Sequence, residues 1–371
     1  NRLVGRTDAV GPYLTTGATI EYEYDDAGNR TLVRTPGGET EYEFDERNRL
    51  EKVVADGGET VYSYDAVGNL VKTVLPNGVV ESRVYDELNR LEFLENLSGD
   101  AVVSSYDYEL DDVGNRVAVT EHDGRRVEYV YDSLYRLVSE EVVGQKVVGY
   151  VYDDVGNRLQ KVDSVEGTTT YRYDDNDQLR SESSSGDVVV YEYDDNGNTI
   201  SETVNGVQEK VYVWDDRNRL VEVRFADGKV VGYGYDNGGI RVSEVVDGVY
   251  KRFLLDKNRA YAQVLEEYVD GTLDAEYVYG NDLISQTRGG VDSFYLVDGL
   301  GSVRGLTDAS GGVVADYSYD AFGNLVAESG DVENDYLFAG EQFDGELGQY
   351  YLRQRFYDSD VGRFLSVDPF A

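Results

Sequence analysis

Nine residues, Tyr22-Glu23-Tyr24-Asp25-Asp26-Ala27-Gly28-Asn29-Arg30, constrain this chain more than any other feature, because variants of them recur at a nearly fixed spacing. Aligned on the Asp that follows the second aromatic, the phrase returns at Asp25, Asp45, Asp65, Asp86, Asp111, Asp132, Asp153, Asp174, Asp194, Asp215 and Asp236. Every step is 20 or 21 residues except the one of 25 from Asp86 to Asp111. A fixed period in this range marks a repeat architecture. The long step contains Asn96-Leu97-Ser98-Gly99-Asp100, which reads as an extended turn.

One unit shows what is repeated. Val61-Tyr62-Ser63-Tyr64 alternates, so Tyr62 and Tyr64 share a face of a strand. Asp65-Ala66-Val67-Gly68-Asn69 is a turn, where Asp accepts backbone N–H groups and Gly or Asn takes positive φ. Leu70 to Val74 returns, and Pro76-Asn77-Gly78 turns the chain again. Each unit is therefore a β-hairpin, and consecutive hairpins extend one antiparallel sheet. The 33 Tyr and 41 Gly suit strands and tight turns.

Charge excludes some functions. Asp and Glu outnumber Lys and Arg 73 to 34, a formal charge of −39. Such a chain repels phosphate rather than releasing counterions from it, which argues against nucleic acid and against anionic membrane surfaces. With no Cys there is no disulfide, thiol nucleophile or thiolate metal site. No apolar run is long enough to span a membrane. The lack of Met and the start at Asn1-Arg2-Leu3 are expected of an internal piece of a longer polypeptide.

Local features read mainly as structure. The Tyr ladders suit cross-strand packing, with a carbohydrate- or polypeptide-binding lining as the alternative. Glu39, Glu41 and Glu43 alternate with Tyr42 and Phe44, placing carboxylates outward and rings inward. The paired Asp residues are turn formers. Asp358-Ser359-Asp360-Val361-Gly362 begins like a calcium loop, but no Glu follows at the required place. The lone His122 sits in a turn, and the Asn29 and Asn96 sequons match a common pattern. Nothing calls for a metal or cofactor.

The repeat drifts at Phe253-Leu254-Leu255-Asp256 and Tyr277-Val278-Tyr279-Gly280, and the chain changes character near Gly289-Gly290. The expected division is a repeat region over 1–290 and a terminal module over 291–371. The units starting at Tyr22, Tyr62, Tyr150 and Tyr191 resemble the YD repeat of the Rhs family. Leu300-Gly301-Ser302-Val303-Arg304, Tyr319-Asp320-Ala321-Phe322-Gly323-Asn324, Phe338-Ala339-Gly340, and Gly362-Arg363-Phe364 with Asp368-Pro369 resemble the Rhs repeat-associated core domain. The resemblance implies an all-β fold: a spiralling antiparallel hairpin ribbon, a YD shell or cocoon, closed by a C-terminal core module. It implies a secreted or cell-surface protein that encloses and presents its own C-terminal effector segment. The alternative is an adhesion or spacer module that meets a cell-surface protein or glycan. Many relatives cut themselves by aspartyl autoproteolysis. On that pattern Asp368 is the candidate acid, with Asp358 and Arg363 as neighbours. Phe370-Ala371 departs from the family's Asp-Pro-any-Gly-Leu motif, with Ala at the Gly position, and a second carboxylate would have to come from beyond residue 371.

Overall fold

A computed structural model of the chain describes residues 3–7 and 18–368. Among them, 31 strands form one sheet and four more form a second. From Gly5–Thr7 to Leu325–Gly330 each strand of the large sheet pairs antiparallel with the next in sequence. The expected hairpins are there: Gly58–Tyr64 pairs with Leu70–Val74, and the Asp65 turn closes them. The long step is not a long turn. Its strands, Leu91–Ser98 and Ala101–Leu110, are themselves longer, and Gly99-Asp100 joins them tightly. Asn96 is consequently buried, with its amide donating to Ser104 (3.0 Å). The ladder also crosses residue 291 without a break, because Val291–Val297 pairs with Leu283–Arg288. The sheet changes only after Gly330. Among the described residues, no helix is long and apolar enough to cross a membrane.

The repeat has a two-unit rhythm that its spacing hides. The third residue after each turn Asp has positive φ. It is Gly in one unit (Gly68, 110°) and Asn, Tyr or Asp in the next (Asn89, 60°). In most Gly units the following residue is Asn. Its amide donates to its own Asp and, in several units, to the next turn: Asn69 to Asp65 (2.8 Å) and Asn89 (2.9 Å), Asn198 to Asp194 (2.8 Å) and Asn218 (2.9 Å). In most of the alternate units that place is Arg. Arg90 binds Asp86 and donates to the Asp111 carbonyl (2.9 Å), and Arg136 binds Asp132 and donates to the Asp153 carbonyl (2.8 Å). These side chains form a polar rail along one edge of the ribbon.

The two aromatics of a unit have different tasks. The first is buried: Tyr22, Tyr42, Tyr62, Tyr150, Tyr171, Tyr191, Tyr212 and Tyr233 line one face. The second reaches sideways. Tyr64 donates to the Leu50 carbonyl (2.8 Å), Tyr152 to Leu137 (2.8 Å) and Tyr235 to Leu220 (2.7 Å). Trp214 keeps this bond through its indole N–H to Thr199 (2.7 Å). In most units the second aromatic thus latches its hairpin to the one before it. The opposite face is acidic and exposed at Glu21, Glu23, Glu39, Glu41 and Glu43, as the alternation predicts.

A register shift just before the second aromatic bends the ribbon, as between Ser63 and Tyr64, Val151 and Tyr152, or Gly234 and Tyr235. A β-bulge adds a residue to one strand, increasing local bend and twist. Repeated on one edge, it curls the sheet until the ribbon meets itself. Tyr22 donates to Asp256, 234 residues away, and Asn77 to Thr307, 230 away. Farther along, Gly299 N–H donates to Tyr108 across 191 residues and Ala321 N–H to Glu140 across 181. The shrinking separation means that the second pass is the shorter one and lies inside the first. Consistent with that, Phe253 to Asp256 and Val264 to Tyr268 are buried on both faces.

Candidate functional site

The site with most to explain is the seam where the chain's own end is seated on the aromatic face. Residues 331–341 cross the second pass first. Val303 N–H donates to the Leu337 carbonyl (2.9 Å), and Ala339 N–H to Ser302 (3.0 Å). The Tyr336 ring packs edge-on against Tyr277, with centroids 5.1 Å apart. Asp335 meets Arg288 (3.3 Å) and Lys251 (3.5 Å) above the fully buried Glu267.

The second sheet follows, made of Gln342–Asp344, Gln349–Leu352, Arg355–Asp358 and Arg363–Phe364. It buries Leu347, Tyr351, Phe356 and Leu365 against Tyr212, Leu220, Val223, Val231 and Tyr233 of the ribbon. The polar centre of this contact is Arg241. Its guanidinium donates to Asp344 (2.8 Å) and Gln342 (2.8 Å), and both members of the ion pair are almost fully buried, at 2% and 1% exposure. Tyr233 also donates to Asp344 (2.7 Å). The guanidinium lies over the Tyr233 and Tyr351 rings at 5.4 and 4.4 Å.

Arg241 holds the place of the Arg in Gly-Asn-Arg, here Gly239-Ile240-Arg241. Two of its counterparts behave alike. Arg30 pairs with Asp256 of the second pass, and Arg158 donates to the Asp360 carbonyl (3.0 Å) while covering Tyr171. At Arg30, Arg158 and Arg241 this Arg therefore joins layers of the roll, whereas Arg116 stacks instead on Tyr108 of its own pass. The Arg one position earlier in alternate units ties neighbouring turns. Sequence reasoning gave the rings to packing and Asp, Gly and Asn to the turn, and left this Arg without a task. Its regular recurrence on the aromatic side was the available signal.

The three singled-out residues lie in this seam with distinct surroundings. Arg363 clamps the sheet onto the ribbon's turns, donating to the Asp177 carbonyl (2.7 Å) and Asn157 (3.3 Å). Asp358 accepts from Gln349 (3.2 Å) and from the Asp360 backbone (3.0 Å), a turn-forming contact. Burial, then the nearby Glu202 and Asp360, push its carboxyl up to about 7. Asp368 is half-exposed and lies 3.1 Å from Arg355, whose guanidinium stacks 3.6 Å over Phe364. Asp358 thus faces Glu202, Asp360 and Lys210, while the partner shown for Asp368 is Arg355. The motif's continuation at Pro369-Phe370-Ala371 lies outside the described residues. Among the described residues no group of three or more Asp, Glu or His is arranged to hold a metal ion.

A hairpin ribbon wound inward, with tyrosine on its inner face and an Asp-led turn in most units, defines a YD-type β-shell. The Teneurin YD-shell family model matches residues 76–370, and an RHS Repeat model matches residues 44–81. The chain belongs to the YD-shell family. It is 40% identical over 109 residues to the tRNA3(Ser)-specific nuclease WapA of Bacillus spizizenii, covering 28% of this chain and 5% of the nuclease. It is 44% identical over 79 residues to the tRNA(Glu)-specific nuclease WapA of Bacillus subtilis subsp. natto, covering 20% of this chain and 3% of that protein. Among solved structures, the crystal structure of TcdB2-TccC3 superposes with a TM-score of 0.77 at 18% identity, over 96% of this chain and 21% of that one. The chain therefore has the fold and structural role of a shell segment, and spans a small part of the length of these relatives.

Proposed function

We propose that this chain is the plugged end of a capsule that encloses and presents a C-terminal effector segment of a secreted or surface-displayed toxin. The observation that carries the reading is the inward winding. The end of the chain is drawn onto the aromatic face and locked there by Arg241, Asp344 and Arg363. Two cavities left, about 690 and 350 Å³, hold a few residues rather than a folded domain. On this reading the room for an effector comes from further hairpins of the same ribbon. Cleavage at the end of the shell would use Asp368 together with a carboxylate supplied from beyond residue 371.

The test is protease protection. The chain carrying its native flanking sequence is exposed to trypsin, beside the same C-terminal extension made alone. The extension should survive while the shell is folded and be digested once the shell is unfolded. Equal digestion rates for the attached and free extension would sink the proposal. In the same material, release of a C-terminal fragment that stops in Asp368→Asn would assign that residue, and unchanged release would remove it.

A further inference from the structure

The last strand of the ribbon, Leu325–Gly330, pairs with Val313–Tyr319 on one side; among the described residues its other edge has no strand partner. It is exposed almost throughout and carries neither Lys nor Pro. Open edges offer a row of backbone donors and acceptors, and proteins usually blunt them with such residues. This edge borders the 690 Å³ cavity. Val326 and Ala327 form one wall, and Val142, Val148 and Lys161, from the aromatic side of the first pass, form the other. The second pass stops here, so the face opposite lies without its covering layer.

The charges around the cavity are largely committed. Arg125 pairs with Glu121, and Lys146 with Asp163 and Glu166. Glu140 accepts from Ala321, and Asp320 from Phe322 and Asn324. Asp360 lies at the rim, where its carbonyl takes the Arg158 bond. Lys161 has no ion-pair partner among the described residues, in a chain of charge −39.

We propose that this cavity binds one extended stretch of the enclosed effector polypeptide, added as a further strand to the Leu325–Gly330 edge. Backbone bonds to the edge supply affinity, and pockets for alternate side chains supply selectivity. The stretch sets an acidic side chain against Lys161 and apolar ones against Val142 and Val148. A six-residue strand is about 20 Å long, matching the length of the edge. The inference rests on the capsule reading for the source of the strand. Its test uses a peptide supplied from outside, so the two can fail separately.

The probe is a fluorescein-labelled eight-residue peptide alternating Val and Thr with one central Asp, titrated by anisotropy against the chain. Saturable binding is expected. Glu328→Pro, which removes an edge donor, and Lys161→Glu should each weaken it about tenfold or more. Lys161→Glu should also make the matching Lys-containing peptide the better ligand. No saturable binding at millimolar protein overturns the site. So does binding that neither variant alters, or a Lys161→Glu variant that keeps the original preference. A protected extension alongside any of these leaves the capsule standing and removes only this site.

Discussion

Arg241→Met should destabilise the seat of the C-terminal sheet by about 3–5 kcal/mol, the usual cost of removing one partner from a buried ion pair. The variant keeps most of the side-chain volume and leaves Asp344, at 1% exposure, without its cation. It also takes a donor from Gln342 and removes the cation stacked between Tyr233 and Tyr351. The loss should fall first on residues 342–364, because the large sheet's own ladder does not pass through this contact. Hydrogen exchange should show those residues opening while strands such as Gly58–Tyr64 stay protected. Adding Asp344→Leu to Arg241→Met should recover much of the loss, since replacing both partners with apolar residues removes the stranded charge. A single variant as stable as the parent would show that the seat does not depend on this pair.

The second large effect concerns pH. Glu140 is pushed up to about 7, first by burial and then by Asp320, and Asp358 is pushed up to about 7 by burial, Glu202 and Asp360. Burial also raises Glu244 and Glu267, helped by Asp344 and Asp335 respectively. Asp358, Glu244 and Glu267 lie where the end of the chain meets the ribbon, and Glu140 lies where the Asp320 turn of the second pass meets the first. Between their ordinary carboxyl range and about pH 7, the folded chain holds more protons than the unfolded one, so stability falls as pH rises through that window. At 1.36 kcal/mol per pKa unit, Glu140 and Asp358 each contribute up to about 3–4 kcal/mol. The turns set the acid limit. Backbone N–H bonds, led by those from Arg49, Arg90 and Arg136, hold Asp45, Asp86 and Asp132 below the usual range, and that stabilisation is lost as pH falls through their lowered values. Urea midpoints at constant ionic strength should therefore peak at mildly acidic pH and decline toward pH 8. Glu140→Gln with Asp358→Asn should flatten the decline. A midpoint that rises from pH 5 to 8 would contradict the assignment.

Much of this architecture is legible in the sequence because it is local. Two-residue alternation places Tyr62 inward and the Glu39–Glu43 series outward, and Asp with Gly or Asn at fixed offsets marks the turns. What escapes is set by partners more than 100 residues away. Asp256, Asp344 and Asp360 give the Gly-Asn-Arg arginines their work, and no local period reveals them. The boundary expected at residue 291 tracked a change in turn chemistry, whereas the backbone ladder continues to Gly330. Asp358 and Arg363 were singled out through resemblance. Their contacts, a buried carboxyl beside Glu202 and a clamp on the Asp177 turn, depend on how the second sheet docks.

The central claim is that the ribbon winds inward upon itself, and one distance tests it. The chain has no native Cys, so spin labels can be placed uniquely at Asn77→Cys and Ser310→Cys. Asn77 donates to the Asp308 carbonyl (2.8 Å) across the two passes. The strands from Val79–Tyr85 to Val303–Thr307, which separate the two sites along the ribbon, number 22. Laid flat at about 4.8 Å per strand, they would hold the labels about 105 Å apart. Frozen-solution continuous-wave electron paramagnetic resonance should instead show strong dipolar broadening from labels in near contact. Coupling too weak to measure, in a chain that still shows full β structure, would mean that the ribbon is open and the account is wrong.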